Sequence, residues 1–359
     1  TALWRAYRRA GEWEPRVAML DAVLLVVADA SEQAELLGEA AKLQEEKAAA
    51  PSAALGSLCT AVSLEPRRRD RRAELVRVAD RAEGWLDAAL ALRAAAASFA
   101  DDPSSAAELR RDEARLLEAK LDDYAGAFEA FKAAAELMPE DAVTLTHAAR
   151  CAAHAAMWKD WAKATVATAV ILGRLDPTLV QASEHAARET DAWQELASAL
   201  AGALGRREGE LPPPVASKIH GLIAEWHRDR TGDAEAAKVA AQRAIELTPD
   251  DVAALERLVT LQRSAPGPEL ADTLLRVDAV GDERSLDALR EAAAVTLETD
   301  PARAVKVLRR LYRKASDLWL AGGQASGGES VEAVADWALD QLSDKLLEVR
   351  EREGAAHLL

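Results

Sequence analysis

The chain has 359 residues, half of them hydrophobic, which is enough to bury a large core and excludes a disordered chain or a disulfide-stapled miniprotein. A formal charge of −16 argues against nonspecific nucleic-acid binding and against adhesion to anionic lipid, since both need a broad cationic face. Ala, Leu, Glu and Arg are abundant while Phe and Tyr number three each, so the composition points to an all-α fold.

The sequence opens at Thr1 already inside a helical pattern, which leaves a native N-terminus and any targeting signal upstream as an open matter. A cytoplasmic location is expected, with a periplasmic or secreted one left open. Gly11-Glu12-Trp13 is the first of a series of short acidic or glycine turns followed by an aromatic or small residue. The apolar run at 23–28 follows Asp21 and is too short to span a bilayer, so no membrane insertion is expected. Cys59 and Cys151 stand far apart without a CxxC pair, which predicts neither a disulfide framework nor a cysteine-rich zinc site.

From Pro66 onward a second marker appears. Pro66, Pro103, Pro139, Pro177, Pro213 and Pro249 fall at intervals of 36 to 38 residues, most of them after an amphipathic stretch with an acidic or apolar tail. Proline there ends one helix and starts the next, because it lacks an N–H and fixes φ. Midway between the prolines come Gly84-Trp85, Asp123-Tyr124, Asp160-Trp161, Asp191-Ala192-Trp193, Gly232-Asp233-Ala234 and Asp300-Pro301, where Asp or Gly is expected to cap the second helix. Each unit therefore reads as helix, tight turn, helix, proline, and neighbours joined this way pack as hairpins. About nine and a half hairpins, roughly nineteen helices, are expected, in a pattern that repeats about every two hairpins and is broken once by the unit at Trp193. Residues 1–320 form the array, 321–328 a Gly-rich loop, and 329–359 a capping helix and tail. Val331, Val334, Leu339, Leu342, Leu346 and Leu347 are expected to face the array.

This arrangement resembles the tetratricopeptide repeat, with the best stretches at 116–141 and 223–251. There Ala127 and Phe131, or Ala237 and Ala244, fall where that family places its packing residues. The period is about two residues longer than that family's usual one of roughly 34. The resemblance implies a right-handed α-solenoid of about nine helix-turn-helix repeats, like the Ala- and Arg-rich arrays found in bacteria. It also implies a concave face, lined by the first helices of the pairs, that binds an extended or helical segment of another protein or peptide.

The resemblance places that family's groove positions four, seven, eleven and fourteen residues after each proline, and these give the expected lining. Its charged members are Asp70, Arg77, Asp80, Arg110, Arg150, Glu184, Arg188, Asp191, Glu256 and Arg263, joined by His220 and His227. Five arginines against five acids make this face nearly neutral within an acidic chain. Arg77, Arg150 and Arg188 share one position in their units, so they either grip a partner's carboxylates or pair with acids on the next helix. The family's carboxylate clamp, a Lys and Asn set, is not reproduced.

His147, Cys151 and His154 share one helix face without a fourth ligand, and ordinary packing is expected rather than a metal site. The basic run at 66–72 reads as a solvated helix start, and without interleaved aromatics it predicts no nucleic-acid partner. The tryptophans at 13, 85, 158, 161 and 193 are expected to staple adjacent hairpins. No phosphate loop, HExxH, GxSxG or dinucleotide fingerprint occurs, so neither catalysis nor a cofactor is expected. The expected function is a protein-interaction scaffold, able to enter a larger complex. The alternatives are a structural component that assembles through its ends or convex surface, and a regulatory arm of a larger enzyme or transcription factor.

Overall fold

The computed structural model describes residues 2–99, 101–281, 286–321 and 330–356, and among them there is no β-strand. The helices fall into two compact units, residues 1–203 and 204–359. In the first, α1 (Ala2–Ala10) is followed by the short α2 (Trp13–Ala18) and α3 (Leu20–Leu24), then by α4 (Ala30–Glu46) with α5 (Pro51–Leu64) and α6 (Arg69–Ala82) with α7 (Trp85–Ala97). Next come α8 (Pro103–Leu121) with α9 (Tyr124–Leu137), α10 (Ala142–His154) with α11 (Trp158–Leu172), and α12 (Pro177–Thr190) with α13 (Trp193–Arg207), within which the division falls. The second unit holds α14 (Pro213–Trp226) with α15 (Ala234–Leu247), α16 (Val252–Gln262) with α17 (Pro268–Val280), α18 (Asp287–Thr299) with α19 (Pro301–Leu320), and a last helix, α20 (Val331–Ala356). The all-α architecture of paired helices is thus present.

Within each unit the helices pack in series: α4 on α5, α5 on α6, and so on through α11; and again from α14 through α20. No isolated pair could hide its apolar stripe, so each second helix is sandwiched between its own first helix and the next. Alanine makes this close approach possible. Ala54, Ala61, Ala88, Ala127, Ala134 and Ala148 are all buried, with Leu58, Leu92 and Phe131 filling the larger gaps. Trp158, Trp161 and Trp193 are buried at the starts of second helices, whereas Trp13 and Trp85 are only half-buried.

The turns inside seven of the pairs, but not those of α16–α17 and α18–α19, have a backbone signature that the sequence did not announce. Gly11, Ala49, Glu83, Asp122, Ala156, Asp191 and Gly232 all adopt left-handed φ, and each lies between the first and second helices of a pair. A left-handed residue closes the first helix and reverses the chain within two or three residues. Asp123, Asp233 and Asp300 then cap second helices, accepting from backbone N–H groups. Asp191 and Asp160 do not cap: Asp191 is itself a left-handed residue and Asp160 sits inside the first turn of α11. Aspartate caps first helices as well, at Asp29, Asp102, Asp141, Asp176 and Asp251.

The Gly-rich stretch at 322–328 lies outside the described residues. Val331, Val334 and Ala338 of α20 are buried in one cluster with Leu308, Leu311 and Ala315 of α19, and Leu342 packs against its edge. Leu339, Leu346 and Leu347, expected on the same side, are 43%, 40% and 59% exposed. The buried seam advances by three or four residues, and Leu339 lies about 100° around the helix from Ala338.

Candidate functional site

The punctuating prolines occupy two different places, which decides where the expected lining residues lie. Pro103, Pro177 and Pro213 are the first residues of α8, α12 and α14, whereas Pro66, Pro139 and Pro249 stand three residues before α6, α10 and α16. Counting from proline therefore shifts the register by three between the two groups. Arg77 and Arg150 do share one position, but Arg188 lies one helical turn further along α12, where His185 takes the equivalent place.

The two matching arginines face carboxylates of the preceding pair. Arg77 Nη1 and Nη2 each donate to Glu45 of α4 at 2.6 Å, and Arg150 donates to Glu118 of α8 at 2.6 and 3.1 Å. These hydrogen bonds hold the Glu45 carboxyl below its usual range. In the second unit Arg257, absent from the expected lining, does the same with Glu225 of α14 at 2.7 Å. Arg263 reaches forward to Glu291 of α18 at 2.7 and 2.8 Å. Arg188 is exposed and has no ion-pair partner among the described residues.

The remaining candidates scatter. Arg110 pairs within α8 with the fully buried Glu113 at 3.0 Å, which Arg93 of α7 also meets at 2.6 Å. Glu184 is half-buried. His220 lies 3.3 Å from Glu208, and burial pushes its pKa down despite that carboxylate. His227 is buried in a one-turn π-helix at the end of α14, its Nδ1 3.3 Å from Thr231 Oγ1, out of reach of a partner. His147 stacks on Phe131 and His154 on Tyr124, at ring-centroid distances of 5.2 and 4.7 Å. Among the described residues no group of three His, Cys, Asp or Glu side chains could hold a metal ion, and no helix is long and apolar enough to cross a membrane.

The basic run before and within α6 is solvated at Arg67 and Arg69 but buried at Arg71 and Arg72, and it bridges two neighbours. Arg67 meets Asp102, Arg68 meets Glu35 and Asp70, Arg69 meets Glu108, and Arg71 lies buried between Glu35 and Glu65. Arg72, also buried, donates to Asp112 and Glu108 of α8 at 3.0 Å each and to the Pro66 carbonyl at 2.8 Å.

Arg69 and Arg72 of this run line one wall of a cleft of about 750 Å³ between α6 and α8. Its floor is apolar, built from Ala73 and Val76 of α6, Leu92 of α7, and Leu116 and Ala119 of α8. Its polar lining comprises Arg69, Arg72, Arg111, Arg115 and Lys120 against only Glu108 and Asp112. Arg111 and Lys120 are held at the margins by Asp141 and Asp80, at 2.7 and 2.8 Å, while Arg115 is largely exposed and only 3.4 Å from Asp112. Burial pushes the Asp112 carboxyl up, against the pull of Arg72; Glu108 is also raised by burial, but its bonds to Arg69 and Arg72 win and hold it low. The cleft thus joins an apolar strip to guanidinium forks whose present partners are side chains of the same protein, a geometry suited to an acidic segment with one or two apolar anchors.

No protein-family model matches the chain, and no curated protein does. Solved structures overlap it weakly. The TPR2AB-domain:pHSP90 complex of yeast Sti1 is 15% identical, over 79% of this chain and 99% of that one, with a TM-score of 0.27. Yeast Tom70 is 15% identical over 97% and 88%, at 0.28, and the TPR domain of P58(IPK) is 14% identical over 96% and 97%, at 0.25. Overlaps at this level carry no argument; the fold rests on the helix pairs, the turns and the packing described above.

Proposed function

We propose that this protein is a non-catalytic interaction scaffold that docks an acidic segment of another protein, extended or helical, against the first helices of its pairs, centred on the cleft between α6 and α8. The observation that carries this reading is the cleft's lining: five cationic side chains against two carboxylates over a hydrophobic floor, in a chain whose formal charge is −16. With Arg111 and Lys120 also meeting Asp141 and Asp80 at the margins, a small cationic surplus remains there, which steers an acidic partner to one place in an otherwise acidic chain. The arginines contribute planar forks that can exchange an internal carboxylate for a partner's at little cost in geometry.

A displayed library of random peptides selected on the intact protein tests this. Enriched sequences should combine Asp or Glu with apolar residues, and their binding should disappear in Arg69→Glu and Arg115→Glu but survive Arg243→Glu in the second unit. Enrichment of sequences that bind all three variants alike would show that the cleft is not the docking site.

A further inference from the structure

The last two helices pack side by side through one apolar seam, yet their outer sides carry opposite charges that do not meet. On α19, Arg303, Arg310 and Lys314 turn to the preceding pair, where Asp272 and Asp278 of α17 hold them. Lys306, Arg309 and Arg313, spaced by three or four residues and so on one stripe, are exposed and have no ion-pair partner among the described residues. On α20, Glu332, Asp336, Asp340 and Asp344 follow at steps of four residues, also exposed and also without such a partner. Like charges at these spacings repel one another along a helix, so each row lacks its counter-charge within a single copy.

Apolar side chains accompany both rows. Tyr312 and Trp319 of α19, seven residues apart, are exposed, Trp319 by 56%, with Leu320 next to it. Leu339 and Leu346 of α20 are also seven apart and exposed. Aromatic and aliphatic anchors beside a charged margin are the make-up of a protein interface.

We propose that this surface pairs with a second copy of the same chain about a two-fold axis. The α20 carboxylates of each copy meet Lys306, Arg309 and Arg313 of the other, and Tyr312 and Trp319 pack against Leu339 and Leu346 of the other. A second copy is the occupant because both halves of the complementarity stand on adjacent helices of one unit, and a two-fold axis satisfies both at once. A partner that is only acidic or only basic would answer one row and leave the other unmatched. Side by side, the two helices present about 30 by 20 Å, of the same order as the ~800 Å² per copy that a stable pair buries. Within each copy α20 keeps its buried side on α19, and no residue of the cleft between α6 and α8 takes part.

Sedimentation equilibrium of the full chain tests this. The mass should rise with concentration from one copy to two and stop there, and added salt should weaken the pair. Arg309→Glu with Arg313→Glu in one protein, and Asp336→Arg with Asp340→Arg in another, should each sediment as single copies. An equimolar mixture of the two should restore the pair, because the reversed rows again meet opposite charge in both directions. Trp319→Ala should weaken pairing about tenfold, as loss of an aromatic anchor does. A full chain that stays single throughout the accessible concentration range, or association that runs past two copies, would overturn the proposal. So would reversed variants that pair as the parent does, or a mixture that fails to pair while both keep the parent's helical circular dichroism. Should a reversed variant misfold, Trp319→Ala, a change at an exposed side chain, decides alone, and pairing equal to the parent's counts against the interface.

Discussion

Arg150 donates to Glu118 Oε1 through both Nε and Nη2, tying α10 back to α8, and 73 residues earlier Arg77 ties α6 back to Glu45 of α4 in the same manner. Glu45 and Glu118 stand at the same 73-residue interval as the two arginines, two hairpins apart, whereas Arg257 with Glu225 follows three hairpins after Arg150. Arg150 is 42% exposed, so solvent screens much of the attraction. Arg150→Ala should therefore cost only about 1 kcal/mol, chiefly by leaving the half-buried Glu118 unpaired. Arg188→Ala, with no ion-pair partner among the described residues to lose, should stay within about 0.5 kcal/mol. Thermal melts of the two variants side by side check the difference.

Five of the left-handed turn residues are not glycine: Ala49, Glu83, Asp122, Ala156 and Asp191. An L side chain in this conformation is strained by about 1 kcal/mol, less for Asp, whose side chain bonds locally. Ala49→Gly and Ala156→Gly should therefore each raise stability by about 0.5–1 kcal/mol even though glycine loosens the unfolded chain. Asp122→Gly should do less. A urea midpoint lower in Ala156→Gly than in the parent would show that the turn is not held in the left-handed well.

Helix pairing was legible in the sequence because prolines, acidic turns and the 3.6-residue apolar stripe all report on local backbone and burial. The register of the lining was not, because proline serves equally as a helix's first residue, as Pro177 does, or as the corner of a preceding turn, as Pro139 does. Only the chain path separates these uses. The run at 66–72 was visible as charge, yet its partners Glu35, Asp102, Glu108 and Asp112 lie on other helices, where no local pattern links them. The cleft between α6 and α8 was missed for the same reason.

Acidification should destabilise the fold, starting near neutral pH. Burial lowers the pKa of His220 and of His147, so as pH falls below about 6.5 the unfolded chain takes up these protons before the folded one does. Folding stability contributed by the neutral imidazoles is present above that value and is lost on descent. Below about 4.5, Glu45 and Glu208, held low by arginine, add to the loss; Asp112, raised by burial, acts in the opposite direction. His220→Gln keeps a donor toward Glu208 without the titration, so the drop in Tm between pH 7.5 and 5.8 should be smaller in that variant. An unchanged drop would assign the effect elsewhere.

Neither cysteine should be a reactive thiol. Burial, reinforced by the Glu118 charge, pushes Cys151 up to about 12, and burial with Asp87 nearby pushes Cys59 up to about 11. At pH 7.5 the native chain should react with a chromogenic disulfide far more slowly than free cysteine, both thiols appearing at full rate only in denaturant. Fast titration of one thiol in the native state would place Cys59, the half-buried one, in a more open setting than its contact with the Asp87 carbonyl implies.

The last helix offers a test of what closes the second unit. Val331, Val334 and Ala338 cover Leu308, Leu311 and Ala315, a surface that α18 and α19 alone would leave bare. We propose that α20 acts as a cap, in keeping with repeat arrays whose terminal faces must be shielded. A chain ending at Ala321 should then self-associate with rising concentration in light scattering, because an apolar face of that kind finds a second copy. In the full chain, Val334→Asp should reproduce that behaviour more weakly, by burying an unpaired carboxylate at the seam. Leu346→Asp should not, since Leu346 is exposed and touches none of that cluster. If the shortened chain stays monomeric and melts as the parent does, α20 is an appendage and the face beneath it is closed by other means.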